Sequence, residues 1–322
     1  MTPERIEQER NELHMKYELT DMVLETECGL VLHRIRALRD IPEHGITAGD
    51  LGGWIESESN LSQDYNAWVS GDAHVYGNAC VYGDAHVYDD ARVSGSACVY
   101  GDAHVTGNAR VSGSACVYDN ARVSGDARVT DRARVSGDAR VFSRVCVYGN
   151  AHVYGDARLS GAAHVYDNAH VYGDAHVCDN ARVTGDARVS GDARLSGAAH
   201  VYDDARVFDL AHISGDACVS GDAHVYSNAR VSGDARITGD ARLPSRDSIF
   251  TASYVGTENG TLTVTSGVSG LVVTRGCFTG SVDEFLERSR AVHDDRTHDE
   301  YRMLIEVAKS RILVHAVPDT ED

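Results

Sequence analysis

The sequence predicts a mainly β protein: a three-sided parallel β-helix of about ten 18-residue coils, with an N-terminal cap and a small C-terminal α+β domain. Three observations predict it. The phrase A-x-V-x-G-D recurs without interruption, its small residue falling at every sixth position from Ala67 to Ala241, thirty hexads in which only Val145 departs from alanine. Two residues after each of these comes Val, Leu or Ile, from Val69 to Leu243. The pair that closes most hexads is Gly-Asp, Gly-Asn, Asp-Asn, Gly-Ser or Gly-Ala. A short fixed period means a stacked array in which each unit buries its apolar face on its neighbours.

Each element follows from the phrase. A-x-V-x alternates small-in, polar-out, apolar-in, polar-out, the pattern of a short strand. The closing pair tolerates positive φ and turns the chain. A helix is excluded, because six fits no multiple of 3.6 and glycine would interrupt it repeatedly. A hexad is therefore one strand and one corner, and three sides close a coil. At a strand spacing of ~4.8 Å the repeat would extend on the order of 50 Å.

The ends differ from the repeat. Residues 1–66 read as a cap: a helix over 3–14 with Thr2 as cap and Pro3 at its first position, a hairpin over 22–38 turning at Cys28-Gly29, and an irregular first coil over 51–66. Arrays need such atypical end units to hide open strand edges. Pro244 ends the repeat, which spans 67–243, and 244–322 read as the α+β domain. "IFTASYVG", "TLTVTSG" and "LVVTRGCF" are its expected strands, with a hairpin at Asn259-Gly260. Two helices are expected behind the capping boxes Ser281…Glu284 and Thr297…Glu300, and "ILVHAV" reads as a last strand.

The repeat resembles the hexapeptide-repeat proteins with a left-handed parallel β-helix, and that resemblance alone implies the hand. A closer similarity is to phage and prophage hexapeptide proteins, in "RIRALRD" (34–40), "LGGWIE" (51–56), "NLS" (60–62) and the "GDARV" hexads. "RGCFTGSVDEF" (275–285) is similar to phage tail-end domains. The flanking similarities imply a phage origin and bring no function with them.

Composition narrows the class. The 322 residues carry a net charge of −19, with −8 on 1–66, −6 on 67–243 and −5 on 244–322. An acidic balance argues against direct nucleic-acid binding and against an anionic membrane surface. No apolar run approaches 18 residues, and "MTPERIEQERNELH" lacks the apolar core of a signal, so a cytoplasmic protein is expected, in a bacterial host if the origin is phage. The eight cysteines contain no Cys-x-x-Cys and suit reduced thiols.

Residues eighteen apart stack on one side of a three-sided coil. The outward position between Ala and Val holds 14 Arg, 10 His, 5 Cys and Trp68. The side containing Val81 and Val99, here the third side, is the aromatic one. Its second outward row runs Tyr82, Tyr100, Tyr118, Ser136, Tyr154, Tyr172, Ser190, Phe208, Tyr226. The corner after it carries Asp84, Asp102, Asp119, Asp138, Asp156, Asp174, Asp192 and Asp209. Asp and Asn suit left-handed corners, so turn chemistry alone can produce such a ladder. The functional reading is a line of charge that a basic groove takes for nucleic acid. The tyrosines, Tyr82, Tyr100, Tyr118, Tyr154, Tyr172 and Tyr226, either stack for packing or form an interface, where Tyr is enriched.

The reading is a non-enzymatic, acidic interaction protein whose partner is a protein with a basic surface, with self-association left open. No cofactor, no metal site and no catalytic residue is assigned. The alternatives are an acyltransferase-like enzyme and a structural component of a particle or fibre. The hexapeptide resemblance implies acyltransferases that place a His base at a subunit junction and build their pocket from an extruded loop. Thirty hexads without insertion argue against that. Cys80, Cys98 and Cys116 share a row, but spacing of ~4.8 Å suits tetrahedral metal binding poorly. "GCFTG" reads as a strand-to-helix turn. Ten outward histidines with ordinary pKa near ~6.5 predict charge uptake between pH 7 and pH 5.

Overall fold

Alternation of inward Ala and Val with outward polar residues decides the architecture. A computed structural model describes residues 15–26 and 29–312. The expected helix over 3–14, Cys28 at the hairpin turn and the expected strand beyond Ile312 lie outside them. Three longer strands open the chain: β1 (Tyr17–Glu25), β2 (Val31–Ala37) and β3 (Leu51–Ile55). Thirty two-residue strands follow, from β4 (Trp68–Val69) to β33 (Arg242–Leu243). With the irregular coil at 51–66 they make a parallel β-solenoid of about eleven turns, one more than the regular repeat alone supplies.

The chain falls into two compact units, 1–156 and 157–322. The cut lies inside the repeat, as an array of nearest-neighbour contacts permits at any coil. In the first unit the two-residue strands pair in parallel at an offset of eighteen residues, as in His74↔Arg92, His86↔His104 and Cys80↔Cys98. The second unit repeats the register, as in His164↔Arg182, His176↔Arg194 and His170↔Arg188. All thirty alanine-phase residues, Val145 included, and all thirty partners two residues on are at most 1% exposed.

Corners need the left-handed backbone. Most first corner residues are glycine, for example Gly113 at φ 69°, where a β-carbon would meet the Asp131 backbone at 2.7 Å. Seven are Asp: 89, 119, 131, 167, 179, 203 and 209, at φ 57–60°. Each turns its carboxylate one coil forward to accept the backbone N–H eighteen residues on, at 2.9–3.3 Å. The bond offsets part of the left-handed strain, which Asp bears more easily than most residues.

The N-terminal cap plugs the open end of the first unit. β1 and β2 form an antiparallel hairpin, β2 pairs antiparallel with β3, and β3 joins β5 (His74–Val75) in parallel. Gly52 and Gly53 let these layers close: a β-carbon on Gly52 would lie 2.5 Å from Ile35, and one on Gly53 2.6 Å from Val69. Tyr17, Leu32, Ile35, Ile41 and Leu61 are fully buried there. Trp68, expected outward, is also fully buried, because Tyr17 packs its ring edge-on at 6.4 Å. Lys16 lies beside it and donates to the Ala67 carbonyl at 2.6 Å. Burial first, and then Arg39, hold its ammonium down to about 7.

The second unit ends in a four-stranded antiparallel sheet, β34 (Ile249–Val255), β35 (Gly260–Gly267), β36 (Gly270–Arg275) and β37 (Phe278–Ser281), with helices α1 (Val282–Val292) and α2 (Asp295–Arg311). Residues 278–281, expected as a turn, are a strand, because Gly276 at φ 59° reverses the chain and lets Phe278 pair with Arg275. The Ser281–Glu284 capping box forms. The second helix starts before the expected Thr297: Asp294 is its cap and accepts the Thr297 N–H at 2.9 Å. β35 covers the last coil. Ala241 bridges Gly267, Ser266 bonds the Arg242 carbonyl, and Thr263 accepts the Arg236 N–H at 3.2 Å.

Two measurements test this account. Val111→Asp places a charge at a fully buried site and should abolish cooperative unfolding of the neighbouring coils, whereas exposed Arg110→Ser should leave the transition within ~0.5 kcal/mol. Asp131→Ala keeps the left-handed β-carbon and loses the bond to Gly149, so urea unfolding should show a loss of ~1–3 kcal/mol. Asp131→Gly should lose less, since the strain leaves with the side chain.

Candidate functional site

The third side is built from two-residue strands whose outward neighbours stack by register. In the first unit, β6 (Cys80–Val81), β9 (Cys98–Val99) and β12 (Cys116–Val117) pair consecutively. Tyr82 and Tyr100 follow two of these strands and lie face to face at 4.8 Å with planes 4° apart. Tyr100 and Tyr118 repeat this at 5.0 Å and 4°. Ser136 interrupts the row and is buried, with Tyr154 one coil further. Burial first, then Tyr100, push the Tyr82 phenol up to about 12. The Tyr82 ring is therefore a neutral hydrogen-bonding group at physiological pH.

In the second unit the row runs Tyr172, Ser190, Phe208, Tyr226. Phe208 stacks on Tyr226 at 5.0 Å and 5°. Ser190 leaves a one-ring gap, and there a cleft of about 290 Å³ opens, lined by Tyr172, Arg188, Ser190, Gly191, Arg206, Phe208 and Asp209. Neither Arg188 nor Arg206 has a carboxylate within ion-pair distance among the described residues. Sequence reading had Phe208 in the row without assigning it a role. The signal for the cleft was the Ser between two aromatics at eighteen-residue spacing.

The eight expected acids do not form one line. Asp102, Asp138, Asp156, Asp174 and Asp192 occupy the second corner position and are exposed. Asp84 shares that position but is half-buried, accepting the Asn66 N–H of the cap at 3.2 Å. Asp119 and Asp209 sit at the first corner position, and each gives an oxygen to the next coil's backbone. The hexad phase explains the split: Asp119-Asn120 and Asp209-Leu210 stand where the others have Gly-Asp.

The outward histidines are half-buried between coils, which corrects the expectation of ordinary titration. Burial is the largest cause in each case. It lowers His74, His104, His164, His170, His176, His200 and His212, takes His224 to about 4 with help from Arg242 and Arg206, and takes His86 to about 3 with help from His44. His44 of the cap lies on His86 with ring centroids 4.4 Å apart, and Ser70 bonds the His86 Nε2 at 2.8 Å. Among the described residues no three His, Cys, Asp or Glu side chains converge as metal ligands, and no helix is long and apolar enough to cross a membrane.

These features define a β-solenoid repeat protein with both ends of the repeat covered. The chain is similar to the YdcK β-solenoid repeat over residues 85–101, 115–131 and 175–191. No curated protein matches it. Among solved structures it is similar to a UDP-N-acetylglucosamine acyltransferase from Campylobacter jejuni, at 12% identity, 70% of this chain, 82% of that one and a TM-score of 0.24. It is also similar to a candidate acetyltransferase from Bacillus cereus, at 10% identity, 70% and 94% coverage and a TM-score of 0.19. At such TM-scores neither likeness carries an argument.

The histidine environment makes a pH prediction. A folded imidazole held below its ordinary value of ~6.5 stays neutral while the unfolded chain takes up the proton. Stability should therefore be full above pH ~6.5 and decline as pH falls toward 4.5, before carboxylates contribute. His86→Gln should flatten the decline of melting temperature over that window. An unchanged slope would show that His86 is not held neutral by its burial.

Proposed function

We propose that this is a non-enzymatic, acidic interaction protein that binds a host or phage partner protein through its third side. The observation that carries the reading is the pre-stacked aromatic row, with ring separations of 4.8–5.0 Å and near-zero tilt. Rings already held by their neighbours lose little rotamer freedom on binding, and Tyr is enriched among the residues that dominate interfaces. The exposed corner acids beside the row would steer a partner with a basic surface. A single acid row at ~4.8 Å is sparser than duplex DNA, with one charge per ~1.7 Å, so nucleic-acid-like display would require a second row or a second copy. The phage setting rests on the flanking-sequence resemblance. No observation favours the acyltransferase alternative: no positioned base stands over a loop-built pocket among the described residues.

The test uses the full chain to capture its partner from bacterial lysate, followed by association and dissociation rates with the purified partner. Tyr82→Ala with Tyr100→Ala should speed dissociation about tenfold or more. Asp102→Asn with Asp138→Asn should slow association, with an effect that fades as salt rises. Asp90→Asn with Asp126→Asn, on the corner after another side, removes equal charge and should do less. Equal effects of the two acid pairs would reduce the role of charge to general acidity. Unaltered rates in the tyrosine variant would remove the third side as the interface.

A further inference from the structure

Six of the described cysteines lie in the repeat, and only three are stacked on one another. Cys80 pairs in register with Cys98, and Cys98 with Cys116. Cys146 pairs instead with Arg128, and Cys218 lies between His200 and Arg236. All three stacked thiols are half-buried and free. The Cys80 and Cys98 sulfurs are 2.9 Å apart, with the Cys80 thiol directed at Cys98. A strand spacing of ~4.8 Å falls inside the Cα window of about 4.4–6.8 Å that disulfides occupy, and the sulfurs have under ~1 Å to close. Cys80 and Cys116 are two coils apart, ~9.6 Å, beyond bridging reach.

We propose that Cys80 and Cys98 form a reversible intramolecular disulfide when the protein meets a low-mass disulfide oxidant. One thiol, as thiolate, attacks the oxidant R–S–S–R and forms a mixed disulfide, releasing R–S⁻, which takes up the proton. The second thiol loses its proton and attacks the bonded protein sulfur, forming Cys80–S–S–Cys98 and expelling a second R–S⁻. Two electrons pass from the two thiols to the oxidant, which leaves as two R–SH. Burial, the hydrogen bond to Cys98 and the neighbouring thiols hold the Cys80 thiol up to about 12, so bridging, which requires its proton to leave, quickens as pH rises. The bridge would join the first two regular coils of the third side, directly beside the stacked rings of Tyr82 and Tyr100. It stands independently of any binding role for that row.

Oxidised glutathione added to the full chain, followed by alkylation of the remaining thiols and non-reducing peptide mapping, tests this. The expected product has lost two hydrogens, links the Cys80 and Cys98 peptides, and reverts with dithiothreitol. Cys80→Ser should move the link to Cys98–Cys116. Cys98→Ser should abolish linkage within the row, and Cys146→Ser should leave it intact. All three substituted positions point outward, and unchanged circular dichroism confirms that the coils persist. Glutathione adducts without any Cys80–Cys98 link, or undiminished linkage after Cys98→Ser, would overturn the proposal.

Discussion

Parallel pairing at a fixed offset of eighteen residues is the constraint on which the rest of this structure depends. Each two-residue strand satisfies its backbone only through the coils before and after it, as when His74 donates to Ala91 and Arg92 to Ala109. Two residues cannot form a stable strand alone, so stability comes from the array. The register puts one small and one aliphatic residue inside per hexad. It also leaves an open edge and an open apolar bore at each end of the repeat. The cap supplies Tyr17, Ile35 and Leu61 at one, and β35 with its buried Thr263 and Thr265 crosses the other. Small residues recur wherever these covers meet the coil, Gly52 and Gly53 among them, since the backbones approach within β-carbon distance.

Local and periodic features were legible in the sequence; features made by distant covers were not. Ala67 through Leu243 could be assigned inward because the period repeats thirty times. Trp68 has the same phase as the exposed outward arginines of the repeat, and it is buried where Tyr17, some fifty residues earlier, packs against it. The Ser281 capping box was readable, while the second helix offers two capping residues, Asp294 and Thr297, and it is Asp294 that accepts the Thr297 N–H. Phe278–Ser281 was too short to read as a strand without its partner Gly270–Arg275. The distinction between Asp102 and Asp119 was present in the order of two corner residues, but its meaning depends on a hydrogen bond one coil away.

The third side shows how the register converts composition into a surface. Tyrosines at eighteen-residue spacing become parallel rings, and cysteines at the same spacing become adjacent sulfurs. The same stacking half-buries the histidines and lowers the pKa of His86 and His224, so an outward position in a coil of this kind is not always a solvated one. Acids of the third-side corner divide by conformation: those at positive φ serve the backbone, and those one residue later face water, except Asp84 beneath the cap. The structural reading of the Asp ladder therefore applies to Asp119 and Asp209 and not to its exposed members.

The central claim is that coils are interchangeable units of eighteen residues and nothing smaller. Deleting residues 103–120 joins Asp102 to Ala121 in phase, and deleting 103–119 leaves the chain one residue out of phase. Thermal unfolding followed by circular dichroism compares the two directly. The eighteen-residue deletion should keep a cooperative transition close to that of the full chain. The seventeen-residue deletion should lose it, because every later inward side chain would be driven outward. Similar transitions in the two proteins would contradict the register on which this account rests.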